Sequence, residues 1–180
     1  GYVKILKYNG SEWVDNGQIN QDYDGIQDAD YYAQYISLSS DGTYISIGTE
    51  RDDKDGVSNN SDNGSVKVYE WNDVDSSWNQ RGNTIWGEES GDKRCITKIS
   101  GDGNVVVAAT YGRNDPNGYA AIYKWDGSDW VLKGSIIKYL SGGGPNGSQL
   151  AGGGHHKDSN ISLSENGDII SIGCRGYAAS

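Results

Sequence analysis

The side chains that could bind a metal ion are concentrated in two acidic loops. Both loops place carboxylates at close spacing, and hard oxygen ligands of this kind are those that Ca²⁺ prefers. Neither loop has the full alternating Asp pattern with a distal Glu, so a solvated acidic loop is the alternative interpretation. We predict no obligatory cofactor, and calcium is the ion that these loops would suit. The first loop carries Asp22, Asp24, Asp28 and Asp30, and the second carries Asp52, Asp53, Asp55 and Asp62.

Groups that could catalyse a reaction are sparse. His155 and His156 are the only 2 histidines, and both lie in a glycine-rich stretch, 142–156, which we interpret as a loop insertion. No acid or cysteine stands beside them in the way that a catalytic or zinc-binding histidine requires. The sequence also lacks a nucleophile elbow, a phosphate-binding loop and a Cys-x-x-Cys motif. We therefore predict no catalytic residues and a protein that is not an enzyme.

The 6 tryptophans and 13 tyrosines could stack on sugar rings or pack between structural repeats. Packing is the better explanation for aromatic residues that recur at fixed positions. Trp86 stands outside those positions, as do Tyr31 and Tyr32. These three residues are our candidates for binding a ligand such as a glycan.

Charge and composition narrow the choice of partner and compartment. The net charge of -10 and the isoelectric point near 4.5 argue against nucleic acid, which is bound through clusters of Lys and Arg. No apolar run approaches the roughly 20 residues of a membrane span, so none is expected. The chain has no Met and opens on Gly1, which suggests a processed product or part of something longer. The two cysteines, Cys95 and Cys174, occupy different repeat positions, and whether they pair is left open.

Five Asn-x-Ser sequences could accept N-linked glycans. Asn-Gly-Ser is also ordinary turn chemistry, so the two explanations compete. Together with the acidic charge, the sequences favour a secreted or cell-surface glycoprotein. The candidate asparagines are Asn9, Asn59, Asn63, Asn146 and Asn160.

These residues are carried by a unit that occurs three times. An octet that begins with Gly and ends with Tyr or Trp occupies 1–8, 64–71 and 118–125. In phase with it, a Ser-x-Asp-Gly or Ser-x-Asn-Gly turn precedes a short apolar strand. These turns occupy 39–42, 100–103 and 164–167. A period of roughly 60 residues predicts a propeller or an array of repeats.

Each unit is predicted to contain four antiparallel strands. The Asp-Gly or Asn-Gly turn tolerates the positive backbone angles of a tight hairpin between the first two strands. The second strand is apolar nearly throughout, and the octet is apolar on both faces, as expected for strands covered on both sides. The fourth strand carries Trp13, Trp78 or Trp130. Such a unit matches a propeller blade, whereas a sandwich would not explain the period.

The predicted fold is therefore all-β, a β-propeller of four-stranded antiparallel blades with about three blade-equivalents in one repeat domain, 1–180. Two blades span 33–85 and 94–137, and a third is split between 160–180 and 1–20, so that the first and last strands complete one blade. Three arrangements fit the split: the ends meet in one chain, each chain completes its neighbour, or the chain is a window of a longer array. Three blades alone would close poorly.

The string 91–103, the apolar strand 105–109, the octet at 118–125 and Trp130 together resemble an FG-GAP-like repeat, which is related to the head of the integrin α-chain. The resemblance extends over essentially the whole chain and implies a propeller. It departs from the family in three ways. The apolar strands do not end in Gly-Ala-Pro, and there is no Phe. The turns 39–42, 100–103 and 164–167 are also too short for integrin calcium loops, so those calcium sites are not expected here.

From these observations we expect a non-enzymatic extracellular module for cell adhesion or structural self-assembly. An unpaired half-blade is an open sheet edge, which invites strand addition. The expected partners are other copies of the chain or further repeats of a longer chain, and glycans or cell-surface proteins. The alternative is a carbohydrate-binding propeller lectin with Trp and Tyr platforms.

Overall fold

The architecture of the chain is all-β, as predicted. A computed structural model describes residues 1–20, 32–54, 62–110, 118–138, 149–150 and 161–175. Within these ranges every regular element is a strand and no helix is present. The strands form antiparallel sheets.

Two five-stranded sheets are flanked by two hairpins. The leading hairpin consists of β1 (Tyr2–Tyr8) and β2 (Trp13–Asn20), and the trailing hairpin of β14 (Ile161–Leu163) and β15 (Ile170–Ile172). The first sheet contains β3 (Tyr35–Leu38), β4 (Tyr44–Thr49), β5 (Ser65–Asn72), β6 (Ser77–Gln80) and β7 (Ile85–Trp86). The second sheet contains β8 (Ile96–Ile99), β9 (Val105–Thr110), β10 (Tyr119–Trp125), β11 (Trp130–Leu132) and β12 (Ile137–Lys138). A short pair joins β13 (Gln149–Leu150) to β16 (Cys174–Arg175).

The two sheets have the same topology. Their strand orders are β3-β4-β5-β6 and β8-β9-β10-β11, with β7 and β12 on the third strand of each sheet. Their registers also correspond, since Ile45 lies opposite Tyr69 and Val106 opposite Tyr123. The two sheets therefore share one strand order and one register.

The hairpin turn between the first two strands is built identically in all three units. In the first unit the Ser39 hydroxyl donates to Asp41 Oδ1 at 2.8 Å and accepts the Tyr44 N–H at 2.9 Å. Gly42 then takes a φ of 75°, which suits glycine. The same bonds occur at the other two turns, where Asp102 and Asn166 are the acceptors. The Asp or Asn side chain of each turn thus accepts a hydrogen bond within its own turn.

Three apolar clusters separate four successive layers. The leading hairpin packs Val3 and Ile5 on one face of the first sheet, beside Ile45. The opposite face of the first sheet meets the second sheet through residues such as Val66 and Val106. The far face of the second sheet receives the trailing hairpin. Both sheets are therefore covered on both sides, which explains why β9 is buried along its whole length.

The two hairpins do not join into one blade in the described part of the chain. The expected split blade would pair β15 with β1, but the hairpins form separate two-stranded sheets. The physical reason is burial: Val3 and Ile5 pack on the first sheet, whereas Ile161 packs against the second. Each hairpin is stabilised by a different neighbour, and the described strands do not close into a propeller.

The fourth strand of each unit is interrupted at one equivalent point. Arg81 N–H bonds to Val68 O and Lys133 N–H to Ile122 O, and each is followed by a glycine at positive φ. In the leading hairpin the register of β1 and β2 shifts between Lys4 and Leu6. Such bulges redirect a side chain away from the regular alternation. The redirected residues are Arg81 and Lys133, and Asn16 occupies the equivalent sequence position in the leading hairpin.

Close packing of the first two units gives a testable prediction at Gly48. A Cβ there would overlap the backbone carbonyl of Cys95, which cannot move aside as a flexible side chain could. We expect Gly48→Ala to lower the free energy of unfolding by about 3 kcal/mol, as overpacking does. Urea denaturation would measure the loss.

The control is Gly42→Ala, where a Cβ would meet nothing within 4 Å. Only the positive φ opposes this substitution, at a cost of about 1 kcal/mol. Equal losses in the two variants would contradict the packing of the two units at Gly48.

Candidate assembly site

The contact between the two sheets depends on Arg81, which the bulge in the first sheet directs toward the second. The guanidinium donates to Gly103 O at 2.7 Å and to Asn104 Oδ1 at 3.1 Å. It also lies 4.2 Å from the ring centre of Tyr44 and 4.5 Å from that of Trp125. Arg81 thus links the fourth strand of one unit to the turn and aromatic pair of the next. Cation–π contact and charged hydrogen bonds act together here.

Lys133 makes the same link from the second sheet to the trailing hairpin. Its ammonium donates to Gly167 O at 3.0 Å and to Asp168 Oδ1 at 2.8 Å. Asn16 stands at the equivalent position of the leading hairpin. This role was not predicted from the sequence, although Arg81 and Lys133 both lie three residues after a repeated Trp and just before a Gly.

The repeated aromatic residues form a cross-strand pair in each unit. Ring centres lie 5.5 Å apart for Trp71 and Trp78 and 5.3 Å apart for Trp125 and Trp130. Trp78 Nε1 donates to Asn16 O at 2.9 Å, and Trp130 Nε1 donates to Arg81 O at 2.8 Å. Trp78 and Trp130 therefore each bond to the bulge of the preceding unit.

The glycines of the bulges make room for these rings. A Cβ on Gly17 would lie 3.0 Å from Trp71, and one on Gly82 would lie 2.8 Å from Trp125. At Gly134 a Cβ would meet nothing within 4 Å. By alignment of the repeat, Tyr8 and Trp13 are equivalent to the aromatic pairs that pack on Gly17 and Gly82, so they are the rings that would pack on Gly134. Tyr8 and Trp13 stack at 5.6 Å, yet they are 53% and 68% exposed.

A cavity of about 390 Å³ lies between the leading hairpin and the first sheet. Between the two sheets, the corresponding space holds Tyr44, against which Gly103 packs. Gly167 packs against Val105 in the same way, whereas a Cβ on Gly42 would meet nothing within 4 Å. The cavity is therefore the place where a side chain equivalent to Tyr44 and Val105 would lie. Its lining includes Leu6, Tyr8, Trp13, Leu38, Gly42 and Trp71.

Ile169 is the residue equivalent to Tyr44 and Val105. It is 72% exposed, whereas Val105 is buried. The trailing hairpin therefore presents an apolar side chain for which the leading end of the same repeat provides a cavity.

The turns of all three units meet one another. Ser40 N–H bonds to Gly101 O at 2.9 Å, and Asp102 N–H bonds to Glu165 O at 2.9 Å. The Ser40 hydroxyl also donates to Glu165 Oε2 at 2.6 Å.

The backbone N–H of Thr43 and the Ser39 hydroxyl hold the pKa of Asp41 below its ordinary value. For Asp102, burial raises the pKa, but hydrogen bonds from Ser100 and Asn104 outweigh it and lower the pKa. Both turns thus favour the charged carboxylate.

The predicted ligand-binding residues lie in different places. Trp86 is half-buried, and it lines a groove of about 250 Å³ with Tyr123 and Trp130. Tyr32 packs against the cluster below the leading hairpin, and Tyr31 lies outside the described residues. The structure does not bring Trp86 and Tyr32 to one surface.

The described acids of the second predicted metal loop bind groups of the protein. Asp52 Oδ2 accepts from the Ser65 hydroxyl at 2.6 Å and lies 3.6 Å from Lys67 Nζ. Asp53 Oδ1 accepts the N–H of Asp62, whose carboxylate lies 3.4 Å from Lys93 Nζ. Across the described ranges, no cluster of three or more His, Cys, Asp or Glu could hold a metal. Calcium binding remains a prediction. Five of the predicted ligands lie outside the described residues: Asp22, Asp24, Asp28, Asp30 and Asp55.

The candidate glycan acceptors differ in access. Asn9 is exposed in the turn of the leading hairpin, where its Oδ1 accepts the Ser11 N–H at 2.9 Å. Asn63 is only 7% exposed, and its carbonyl accepts the Arg94 N–H. The other three, Asn59, Asn146 and Asn160, lie outside the described residues.

Cys95 is a free thiol with no exposed surface. Burial raises its pKa well above the ordinary value, so the thiol is held neutral. Its Sγ lies 3.8 Å from Gln34 Oε1.

A buried polar network supports the far end of the contact between the sheets. Arg94 is 1% exposed and donates to Trp86 O, to Tyr123 Oη and to Tyr119 Oη at 2.6 Å, 2.9 Å and 2.6 Å. The Tyr119 hydroxyl donates to Asp92 Oδ2 at 2.7 Å. Burial raises the pKa of Tyr119 against the influence of Arg94, with Asp92 adding to the rise. Hydrogen bonds within the network compensate the burial of the Arg94 and Asp92 charges, and the network helps to pack the two sheets together.

No protein-family model matches the chain, and no curated protein matches it. The resemblance to FG-GAP-like repeats therefore rests on its own residues. None of the described residues forms a helix long and apolar enough to cross a bilayer.

The role of Arg81 can be tested by Arg81→Met, which retains an apolar chain of similar length. Loss of the bonds to Gly103 and Asn104 should lower the free energy of unfolding by about 2 to 3 kcal/mol. Lys133→Met is the matched control, since Lys133 occupies the equivalent position with a side chain that is 33% exposed. It should cost less than about 1 kcal/mol. Thermal and urea unfolding of both variants would check the difference, and a similar loss in both would contradict it.

Proposed function

We propose that the chain is a non-enzymatic, FG-GAP-like β-propeller module that serves in adhesion or as a structural subunit, and that it acts by assembly through its blade edges. The observation that carries this proposal is the pair of unjoined hairpins. One face of each hairpin packs on a neighbouring sheet, and among the described residues neither β1 nor β15 pairs with a strand outside its own hairpin. Each hairpin corresponds to one half of the repeat formed in full by the two sheets.

A propeller arrangement is supported by the meeting of the three turns. In a propeller the innermost strands of successive blades gather about an axis. Contacts from Ser40 to Gly101 and Glu165, and from Asp102 to Glu165, bring the ends of the first strands together in this way. The layers then extend outward from these turns. Additional blade halves would come from other copies or from further repeats of a longer chain.

We place this function outside the cell or on its surface. The acidic charge and the exposed Asn9 sequence are the features that favour this location. Adhesion to glycans or to cell-surface proteins would use the loops, and structural assembly would use the edges.

Assembly predicts that the mass of the protein in solution depends on concentration. Light scattering coupled to size-exclusion chromatography should show species larger than the 19.4 kDa chain at micromolar concentration. Native mass spectrometry would report their stoichiometry and any glycan mass. A single species of chain mass over the whole micromolar range would contradict assembly.

A carbohydrate-binding function is the second candidate, and the groove at Trp86 favours it. Trp86, Tyr123 and Trp130 offer aromatic surface, and Asn83 and Asp129 offer polar groups beside it. Aromatic rings flanked by hydrogen-bonding groups are suited to sugar recognition. The groove is shallow, and its polar groups Asn83 and Asp129 are already hydrogen-bonded to each other. Sugar binding is therefore less well supported than assembly.

A glycan array would test the second candidate. Binding to one glycan class, abolished by Trp86→Ala and retained in Tyr2→Ala, would support a lectin. Tyr2 is a suitable control because it is an exposed aromatic residue, at 62%, outside the groove. Absence of any binder on the array would contradict a lectin function.

A further inference from the structure

We propose that β15 of one copy pairs with β1 of a second copy, so that the trailing hairpin of the first and the leading hairpin of the second form one four-stranded blade. This inference rests on the proposed assembly function and specifies its interface. It commits to one occupant for each open end, namely the opposite end of another copy of this chain.

The register of the new pair follows from the two complete sheets. There the second and third strands pair Tyr44 with Glu70, and Val105 with Lys124. The same alignment of the repeat places Ile169 opposite Lys7, Ile170 opposite Leu6, and Ile172 opposite Lys4. In both sheets the last residue of the octet donates its N–H to the second strand, as in Trp71 N–H to Thr43 O and Trp125 N–H to Asn104 O. Tyr8 N–H would therefore bond to Asp168 O.

Pairing would also fill the cavity at the leading end. Ile169 of the first copy would reach Gly42 of the second, as Tyr44 reaches Gly103 and Val105 reaches Gly167 within one chain. The cavity and the exposed Ile169 are then two sides of one contact. Burial of an exposed isoleucine in an apolar site favours association by the hydrophobic effect.

A second contact, independent of the first, would form at the outer strands. Tyr8 and Trp13 of the second copy would pack on Gly134 of the first, as Trp71 packs on Gly17 and Trp125 on Gly82. Trp13 Nε1 would donate to Lys133 O, the equivalent of Asn16 O and Arg81 O. Two open sites on the trailing end thus match two open sites on the leading end.

A second copy is the occupant because a single chain has both hairpins in place without joining them. The leading hairpin is buried on the first sheet and the trailing hairpin on the second. Within the described residues neither β1 nor β15 pairs with a strand outside its own hairpin. The repeated contacts show what should cover each end, and another copy supplies both.

Disulfide trapping between two different single-cysteine variants tests the pairing. Ile169 and Lys7 would form a pair equivalent to Tyr44 and Glu70. The backbone hydrogen bond from Trp71 N–H to Thr43 O flanks that pair, so Tyr44 and Glu70 form a non-hydrogen-bonded antiparallel pair. The Cα atoms of such pairs lie about 4.5 Å apart, within reach of a disulfide. Lys7→Cys and Ile169→Cys would be made separately in a Cys174→Ser background, with buried Cys95 retained. After mild oxidation, the mixture should form a covalent dimer, and neither variant alone should do so.

The control mixture replaces Lys7→Cys with Val74→Cys. Val74 is 96% exposed in the turn between β5 and β6, so it offers an accessible thiol away from the proposed contact. Because paired strands hold the two thiols at high effective concentration, we expect at least about tenfold more dimer from the test mixture than from the control. Equal amounts from both mixtures would overturn the pairing.

Light scattering on the same background protein distinguishes the two levels of the proposal. Association without a Lys7 to Ile169 cross-link would overturn the pairing and leave assembly in place. A chain that stays monomeric would overturn both. A double variant that cross-links only within one chain, with no dimer in the mixture, would show that the ends meet in the same molecule and would overturn the second copy as occupant.

Discussion

The structure depends on one constraint, which is that each sheet has two apolar faces and must be covered on both. In the first sheet Ile45 and Ile47 face one side, and Val66 and Val68 face the other. Water is excluded only by stacking another layer on each face. A stack of this kind has no natural end, because every layer that covers its neighbour exposes a further face. The hairpins at the two ends are layers of half width, and their exposed apolar residues include Leu6, Trp13 and Ile169.

The bulge in the fourth strand gives the stack its order. It directs Arg81 and Lys133 to the next turn while its glycine admits the next aromatic pair. Both contacts run from a unit to the one that follows it, so the stacking is directional. A regular strand would send these side chains back into the alternating pattern and leave the carbonyls of Gly103 and Gly167 without their cation. The local interruption of the strand is therefore part of the interface.

The sequence predicted what is local and missed what is not. Strands, turns and the repeated Trp were visible because Asp-Gly turns, alternation and phase are encoded within a few residues. The four-stranded sheets follow from them directly. The separate burial of β1 and β15 was not visible, because strand pairing across most of the chain depends on competing faces that only the fold arranges. The partners of Arg81, and the use of Asp52 and Asp62 within ion pairs, likewise depend on contacts between units. A loop of carboxylates looks the same in sequence whether its partners are lysines or a metal ion.

The asymmetry of the two ends favours head-to-tail contact over contact between like ends. The leading end has a cavity beside Gly42 and an exposed pair, Tyr8 and Trp13. The trailing end has a protruding Ile169 and an open space over Gly134. Two leading ends would bring their aromatic pairs together with no Gly134 opposite either pair, and would place the Lys7 side chains near one another. Like charges on adjacent strands oppose pairing. A contact between unlike ends is heterologous, and it closes into a ring or grows into a filament according to the rotation between successive copies. In the proposed pairing, that rotation would be set by the same bulge and turn contacts that orient one sheet on the next.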